Sequence, residues 1–504
     1  MEKFYITTPI YYVNDEPHIG HAYTTILADV ISRRNKLQGK DVYFLTGTDE
    51  HGQKVQEAAE KRNVNPLNHV NEYVKRFKSV WKNLDIDYND FIRTTEKRHT
   101  DRVKDILLHL KEKGDIYMDE YEGLYSVSEE RFITEKEAEE DNFKGIKVLK
   151  EKNYFFKMSK YQDDLINHIN SHPNFIKPES RKNEILGFLN KKLNDLCISR
   201  PKSRLSWGIE LPFDSNYVSY VWFDALLNYI TAIGWNSDNK KFSNYWPADY
   251  HLMGKDIITT HAVYWPTMLL ACDIPLPKTI FAHGWWLMDE NKMSKTTGNI
   301  IKPLDLADKY GTDSLRYFLM RNMVLGQDAS YSFESFKERY NADLANDYGN
   351  LVNRIFILIK KNFNSKIPTP GNYDSIDLEI ISNTKKLAIK IDQSFNNLKI
   401  HDAIEDTLNI LRSINKFLEL KQPWKTVKDN NEQKSESATT LYIAAELLRL
   451  STCFLHPVMP SKSKAIIEAL NECSLDEYDY DTSFGILKMG TEIKELNNIF
   501  PRID

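Results

Sequence analysis

The chain opens with β-favouring apolar runs on either side of a helical periodicity. Residues 4–8 predict a buried strand, and residues 41–45 predict a second one. Between residues 22 and 37 apolar side chains recur at helical spacing, and Gly39 follows as a stop signal. Strand, helix and strand in this order form a βαβ unit. Such a unit predicts a parallel sheet that binds ligands beyond the carboxyl ends of its strands.

Further along the chain, the strand pattern stops and then returns. Residues 98–113 have a helical spacing that ends at Gly114, after which residues 117–207 change to short strand-like pieces with charged connections. Runs at residues 221–225, 250–256 and 279–284 predict strands, or strand ends, that rejoin the sheet. The pattern therefore predicts an α/β fold with a split, doubly wound parallel sheet of the Rossmann-like type and an inserted α+β domain.

The last third of the chain has almost no strand pattern. Helical spacing recurs at residues 355–361, 378–395, 400–420, 438–454 and 462–470, which predicts an all-α helical bundle. The polar residues 425–437 predict an exposed loop or the start of a helix. The predicted segments are 1–116 and 211–285 for the two halves of the sheet domain, 117–210 for the insertion, 286–340 for a loop and linker region, and 341–504 for the bundle.

The composition indicates the class of protein and the compartment in which we expect it. The 504 residues are 41% hydrophobic and 28% charged and carry a net charge of −5, which is typical of a globular protein and gives no basic field for nucleic acid. We find no apolar run long enough to span a bilayer and no signal peptide before the first strand. The four cysteines form no C-x-x-C pair, which disfavours a disulfide framework or a cysteine-based zinc knuckle. We therefore expect a cytoplasmic protein with no membrane partner.

The candidate chemistry gathers where the predicted strands end. His18, Gly20 and His21 lie between the first strand and the first helix, where helix N-terminal amides favour an anion and Gly20 lets the backbone approach a phosphate. The alternative is a chance pairing of two histidines in a turn. Asp49 and His51 follow the second strand at the same edge of the sheet. Asp49 has an alternative role as the N-cap of the next helix.

A second polar stretch, KMSKTTGN at residues 292–299, predicts a mobile loop. Its lysines, Lys292 and Lys295, are three residues apart and suited to neutralise charge that develops on a polyphosphate. A solvated basic turn is the alternative interpretation of this pair. Because the sequence contains neither G-x-G-x-x-G nor G-x-x-x-x-G-K-[ST], dinucleotide and P-loop binding are disfavoured.

Taken in order, these motifs resemble those of the class I aminoacyl-tRNA synthetases, and more closely those of the methionyl-tRNA synthetase family. The matching stretches are TPIYYVNDEPHIGH, FLTGTDEHG, YVWFDAL, GKDI with the following His261 and Trp265-Pro266, HGWWL, KMSKT and NLVNR. They cover essentially the whole chain, and their ordered occurrence is far more specific than any single motif. The resemblance implies that ATP and L-methionine form methionyl-adenylate, from which tRNA(Met) is then aminoacylated.

The resemblance also implies roles for individual residues. For ATP it points to His18, Gly20, His21, Asp256, Lys292 and Lys295, among which His18, His21 and Lys295 would be catalytic. For methionine the matching positions are Ile10, Tyr12, Asp49, Trp222, Ala225, Leu226, Tyr229, Ile257, His261 and Trp265. For the anticodon they are Asn350, Arg354 and Trp424. Asp49 would accept the substrate ammonium, and aromatic rings suit a thioether. Ordinary core packing, with helix capping for the anticodon set, is the alternative.

Departures from the family pattern shape further expectations. Residues 123–132 contain no cysteine where many relatives carry zinc knuckles, which implies the zinc-free subgroup, with Mg²⁺ accompanying ATP. Thr260 stands where some relatives have an aromatic residue, so we expect a different pocket shape there. The insertion is too short for a full editing domain. No tRNA-binding module follows the predicted bundle, which favours a monomer.

Other functions stay open at this stage. A class I synthetase for isoleucine, valine or leucine would carry a larger inserted editing domain, and one for cysteine would carry zinc thiolates. A small-metabolite nucleotidyltransferase uses the same H-x-G-H site but does not need the helical region. A non-catalytic tRNA-binding homologue would not need His18, His21 and Lys295.

Overall fold

The computed structural model describes residues 1–13, 16–126, 131–133, 146–288, 291–292, 303–426, 431–470 and 483–504. Its central sheet has six parallel strands, which from one edge to the other are β3 (Asp90–Arg93), β2 (Asp41–Asp49), β1 (Lys3–Tyr12), β12 (Tyr250–Gly254), β13 (Ile280–His283) and β7 (Ile176–Lys177). The middle pair, β1 and β12, joins two distant parts of the chain. The predicted split parallel sheet followed by a helical region is therefore confirmed.

Helices cover both faces of this sheet. Those that precede or connect its strands are α1 (Ile19–Leu37), α2 (Gln53–Lys61), α3 (Pro66–Asn83), α4 (Lys97–Glu112), α9 (Asn239–Tyr245) and α10 (Trp265–Ala271). One buried apolar core contains α1 and α3 and continues into the C-terminal bundle, while a second contains α4 and α10. Gly39 follows α1 with a φ of +76°, a conformation that glycine adopts without strain, and so ends that helix as predicted.

In the described residues of the insertion there are two strands of 11 residues, several shorter strands and two α-helices. One sheet is formed by β5 (Arg131–Ile133), β4 (Ile116–Ser126), β6 (Ile146–Phe156) and β8 (Leu196–Cys197), and another by β10 (Glu210–Leu211), β11 (Asp214–Ser219) and β9 (Ser199–Pro201). The helices are α5 (Gln162–Ser171) and α6 (Glu179–Leu189). Between them β7 pairs with β13, so the chain touches the central sheet within the segment assigned to the insertion. The five predicted segments stay a prediction.

One predicted strand is wrong. Residues 221–225 do not rejoin the sheet but belong to helix α7 (Val221–Leu226), which is followed by α8 (Asn228–Thr231). Four of its six residues are apolar and buried, namely Val221, Phe223, Ala225 and Leu226. A short helix that is enclosed by the protein is apolar on all sides, and its sequence pattern does not differ from that of a buried strand.

The chain then crosses from the sheet to the bundle. This region contains a small sheet of three strands, in the order β15 (Asn291–Lys292), β14 (Trp286–Met288) and β16 (Ala329–Tyr331). Its helices are α11 (Pro303–Tyr310) and α12 (Thr312–Asn322), which precede β16 in the chain, and α13 (Phe333–Arg339), which follows it. The bundle itself contains α14 (Asn350–Asn362), α15 (Ser375–Asn396), α16 (Ile400–Lys421), α17 (Pro423–Thr426), α18 (Asn431–Leu455) and α19 (Pro460–Ala469). Of the polar segment 425–437, residues 427–430 lie outside the described part and α18 begins soon after.

The longest helix, α18, corrects one sequence-based statement. Its segment Lys434–Leu455 is long and apolar enough to cross a membrane, although we found no such run in the sequence. All residues of its apolar window are buried inside the protein. Because a helix at the centre of a bundle passes the same test of length and composition, this segment is explained by the bundle core.

Candidate active site

Two imidazoles lie at the N-terminus of α1, beyond the end of β1. His18 is the N-cap, and its Nδ1 accepts a hydrogen bond from the Gly20 amide at 3.1 Å. The His18 amide in turn donates to Nδ1 of His21 at 3.3 Å, and the two rings stack with centroids 3.8 Å apart. The structure thus brings the two predicted histidines together at the positive end of a helix of 19 residues.

Gly20 makes room for this arrangement. A Cβ atom at position 20 would lie 3.0 Å from Cε1 of His18, which is tighter than ordinary van der Waals contact. Without a side chain at position 20, the His18 ring folds back over the first turn without displacement. The same absence leaves the backbone of the turn accessible to a phosphate.

The neighbouring strand ends supply a second group, which sequence reasoning left without a role. Nδ1 of His283 lies 2.7 Å from the Gly284 carbonyl, which only accepts, so Nδ1 carries the proton and Nε2 accepts from the Thr24 hydroxyl at 2.7 Å. Burial lowers the pKa of His283 and keeps it neutral. This histidine ties β13 to α1, one turn after Gly20. Its place in the matching HGWWL stretch was the available signal.

Asp256, predicted for ATP, lies just after β12. Its Oδ1 accepts a hydrogen bond from the Trp285 indole at 3.0 Å. The Lys255 ammonium lies 4.1 Å from the centre of the Trp285 ring and donates to Asp328 at 2.7 Å. The ends of β12 and β13 are therefore braced by one indole ring, which the sequence analysis did not single out.

Asp49 ends β2 and is buried, with 3% of its surface exposed. It is not the N-cap of α2, because that position is held by Gly52. Tyr12, another predicted methionine residue, is its direct register partner on β1. The structure thus places these two side by side at the carboxyl edge of the sheet. Tyr12 packs against the core that contains α1, whereas Ile10 packs against the core that contains α10.

The remaining predicted methionine residues come from α7, α8, the turns after β12 and the start of α10. Trp222, Ala225 and Leu226 lie on α7, and the latter two are buried. Ile257 ends the 3₁₀ turn Lys255–Ile257 and is followed by a π-helical turn, Thr260–Tyr264. Such turns occur mostly as single bulges and often at functional sites. The Thr260 hydroxyl donates to the Ile257 carbonyl at 2.7 Å.

His261 links these elements through both ring nitrogens. Its Nδ1 donates to the Ile257 carbonyl at 2.9 Å, so its Nε2 accepts from the Tyr229 hydroxyl at 2.8 Å. Burial lowers the pKa of His261 to about 4 and keeps the ring neutral at physiological pH. The Trp222 ring meets it edge-on with centroids 6.2 Å apart.

Trp265 completes the aromatic cluster from α10. Its ring lies 5.8 Å from that of Tyr229, and its indole donates to Nε2 of His251 at 3.2 Å. Nδ1 of His251 lies 2.7 Å from the Thr7 hydroxyl. Trp265 is fully buried, so it packs against the cluster from the protein interior. The structure thus joins Trp222, Tyr229, His261 and Trp265 in one apolar and polarisable wall, which suits a thioether.

The predicted loop lysines are only partly accounted for. Lys295 and the rest of residues 293–302 lie outside the described residues. Lys292 ends β15, where it pairs with Leu287 of β14, and only its backbone is described. Their contribution to an ATP site stays a prediction.

A second candidate site lies on the bundle. Asn350 and Arg354 are one turn apart on α14, and the Arg354 guanidinium lies 4.5 Å from the centre of the Trp424 ring. Arg354 also forms an ion pair of 2.7 Å with Glu419. A cavity of about 450 Å³ is lined by Asn350, Asn353, Arg354, Ile357, Leu358 and Trp424. The structure therefore brings together all three residues predicted for the anticodon.

Comparison with known families gives the same picture over the whole chain. The family model of class I tRNA synthetases (M) matches residues 4–141 and 142–356, and that of the anticodon binding domain of methionyl tRNA ligase matches residues 367–504. The methionine–tRNA ligase of Clostridium acetobutylicum is 45% identical over 100% of this chain and 78% of its own length. That of Listeria monocytogenes is 43% identical over 99% of this chain and 78% of its own.

Solved structures agree. Mycobacterium tuberculosis methionyl-tRNA synthetase in complex with methionyl-adenylate has a TM-score of 0.96 at 38% identity, with 100% of both chains covered. Its apo form has a TM-score of 0.88 at 36% identity, over 100% of this chain and 99% of that one. Because the two family models together match most of the chain and relatives of 43–45% identity span 99–100% of it, the chain belongs to the methionyl-tRNA synthetase family of class I aminoacyl-tRNA synthetases.

Proposed function

We propose that this protein is a methionine–tRNA ligase. In the first step the methionine carboxylate attacks the α-phosphorus of ATP, which gives methionyl-adenylate and releases pyrophosphate. In the second step a hydroxyl of the terminal ribose of tRNA(Met), first the 2′-hydroxyl if the class I pattern holds, attacks the acyl carbon and AMP leaves. The observation that carries this proposal is the stacked pair of His18 and His21 at the N-terminus of α1, at the same sheet edge as Asp49 and Tyr12.

ATP binds at the N-terminus of α1 in this proposal. His18, His21 and the backbone at Gly20 lie next to the phosphates in this proposal, and the helix dipole favours the phosphate charge. Asp256 is the candidate partner of the nucleotide ribose, with Lys292 and Lys295 completing the site from the loop. Donors that are fixed in place before the reaction stabilise the charge that grows on the phosphate oxygens in the transition state.

Mg²⁺ accompanies ATP and neutralises phosphate charge. Among the residues that the structure describes, no group of three or more histidine, cysteine, aspartate or glutamate side chains is arranged to hold a metal ion. Phosphate oxygens and water, the ligands that Mg²⁺ usually keeps, would therefore hold it. We also propose that the enzyme has no structural zinc, because residues 123–132 contain no cysteine.

Methionine binds between Asp49 and the aromatic wall. The buried carboxylate of Asp49 accepts the ammonium group, and Ile10, Tyr12 and the side chains of α7 enclose the thioether. The full proposed set adds Trp222, Ala225, Leu226, Tyr229, Ile257, His261 and Trp265. Because one methylene is worth about 1–3 kcal/mol in an apolar pocket, this site separates methionine only modestly from homocysteine.

The tRNA is recognised at the bundle. Asn350 and Arg354 present donors and acceptors to a base edge from one helix face, and the Trp424 ring offers a stacking surface for an unpaired base. We propose a monomeric, cytoplasmic enzyme.

Amino-acid-dependent exchange of pyrophosphate into ATP tests the proposal. We expect L-methionine, alone among the twenty amino acids, to stimulate exchange, and tRNA(Met) to be aminoacylated with methionine. Exchange with valine or isoleucine and none with methionine would overturn the assignment. Activity with a small phosphorylated metabolite in place of an amino acid would favour the nucleotidyltransferase alternative.

A further inference from the structure

Helix α7, which carries three residues of the proposed methionine site, also carries one carboxylate that is held between two histidines. Asp224, in the middle of α7, is fully buried. Its Oδ2 lies 2.6 Å from Nδ1 of His51, and its Oδ1 lies 2.7 Å from Nε2 of His99. Nδ1 of His99 lies 2.8 Å from the Thr231 hydroxyl. These four residues come from three separate parts of the chain, because Asp224 and Thr231 lie on the consecutive helices α7 and α8.

The hydrogen-bonding roles follow from the chemistry of the groups. Burial by itself raises the pKa of Asp224, but the two adjacent histidines hold it below its ordinary value, so the group is a carboxylate. A carboxylate only accepts, and both histidines therefore donate to it, His51 through Nδ1 and His99 through Nε2. Each histidine needs its proton on one particular nitrogen.

The network joins two parts of the proposed methionine site. His51 lies two residues after Asp49, and Asp224 lies on α7 between Trp222 and Ala225. The residue between Asp49 and His51 is fixed separately: Arg93 donates to the Glu50 carboxylate at 2.7 and 3.0 Å, and the Trp207 indole donates to the Glu50 carbonyl at 2.6 Å. The bond between His51 and Asp224 therefore joins the segment that follows β2 to α7.

We propose that Asp224, held by His51 and His99, is a positioning residue that sets the spacing between the ammonium acceptor Asp49 and the apolar wall on α7. It does not touch the substrate. Its role rests on the proposed function, because the spacing it sets is that between the ammonium and side-chain ends of one amino acid. Loss of either bond should therefore weaken methionine binding while ATP binding, at the N-terminus of α1, is unaffected.

Paired substitutions test this, because asparagine places an amide N–H near the position of Nδ1 and glutamine places one near that of Nε2. At position 51 the geometry predicts that His51→Asn keeps the bond and His51→Gln loses it. At position 99 the order reverses, with His99→Gln tolerated and His99→Asn impaired. We expect the impaired variants to raise the KM for methionine in pyrophosphate exchange about tenfold and the tolerated ones by no more than about threefold.

The KM for ATP, measured in the same assay, should change less than about twofold in all four variants. Asp115→Asn is the matched control, since Asp115 is also buried and holds Lys160 at 2.7 Å, outside the site. It should lower thermal stability without a change in the KM for methionine. Equal effects of asparagine and glutamine at position 51, or a KM for ATP that rises with that for methionine, would overturn the proposal.

If the variants at position 99 fail to fold, the pair at position 51 decides alone, because that histidine lies at the edge of the network with 6% of its surface exposed. Failure of the unaltered protein to exchange pyrophosphate with methionine would instead refute the proposed function. The two failures are therefore distinguishable.

Discussion

Trp265 and Trp424 are both assigned to proposed ligand sites, but they differ in burial and in the groups that surround them. Trp265 is fully buried, its indole donates to His251, and its ring packs against Tyr229. Trp424 lines a cavity of about 450 Å³ and is covered on one side by the Arg354 guanidinium. The proposed methionine wall is therefore largely buried and internally bonded, whereas the proposed bundle site leaves room beside the Trp424 ring.

The difference matches the ligand that we propose for each site. Methionine is small, and a difference of one methylene is worth only about 1–3 kcal/mol, so selectivity needs side chains that are fixed before the substrate arrives. An anticodon base brings its own flat surface and hydrogen-bonding edge to a stacking residue. We expect substitutions in the methionine site to have large effects and those in the bundle site to have smaller effects, confined to tRNA.

The largest effect should come from the histidine pair at α1. In the proposed ATP site His18→Ala removes a group that stabilises phosphate charge, and we expect kcat/KM for pyrophosphate exchange to fall about 10²–10³-fold. His172→Ala is the matched control, because His168 and His172 also stack, with centroids 4.0 Å apart, but lie in the insertion. A similar loss in the control, or a loss of less than about tenfold for His18→Ala, would mean that the pair at α1 is only a helix cap.

Burial of His261 in the proposed methionine site should make the free energy of unfolding depend on pH. His261 has a pKa of about 4 in the folded protein against 6.5 as its ordinary value, so the unfolded chain binds a proton first as the pH falls. Its contribution to stability is complete above pH 6.5 and is lost as the pH falls from there towards 4, by about 3 kcal/mol in total. His261→Gln should remove this dependence.

Chemical denaturation between pH 4 and 7 measures this directly. We expect the difference in unfolding free energy between the parent and His261→Gln to shrink as the pH falls. Parallel curves for the two proteins would show that His261 is protonated in the folded state and that the wall is open to water.

In the bundle site we expect a smaller and more selective effect. Trp424→Ala removes a stacking surface worth about 1–3 kcal/mol, so kcat/KM for tRNA aminoacylation should fall by roughly five- to 150-fold. Methionine-dependent exchange, which needs no tRNA, should be nearly unchanged. Trp424→Phe keeps an aromatic face and should recover most of the loss. Equal losses in both assays would mean that Trp424 is a structural residue of the bundle.

The sequence predicted those parts of the fold that depend on local patterns. The first strand, α1 and its stop at Gly39 follow from residues that are neighbours in the chain, as does the pairing of Asn350 and Arg354 on one helix face. Helix α3 was overlooked although it has local signals: Asn65 caps it through the Asn68 amide, and Pro66 stands in its first turn.

What the sequence left unpredicted depends on distant partners. Asp224 stands 173 residues from His51 and 125 from His99, and nothing in the pattern around His99 indicates that it meets a carboxylate. The helix that carries Asp224 was taken for a strand, because an enclosed apolar run has no periodicity that separates the two. The edge strand β7 has two residues, too few for any alternation to show.

The smallest expected effect would sharpen the contrast between the two sites. Arg354 pairs with Glu419, whose side chain is 64% exposed, and such surface pairs are worth about 0–1 kcal/mol. Glu419→Gln should leave stability nearly unchanged and release the guanidinium for a base, raising kcat/KM for tRNA about two- to threefold. Glu495→Gln, which breaks the pair with Lys360 on the same helix, is the matched control and should change neither quantity. A lower kcat/KM in Glu419→Gln alone would show that the ion pair holds Arg354 in its binding position. The bundle site would then be fixed before its ligand arrives, like the methionine wall, and would differ from it only in exposure.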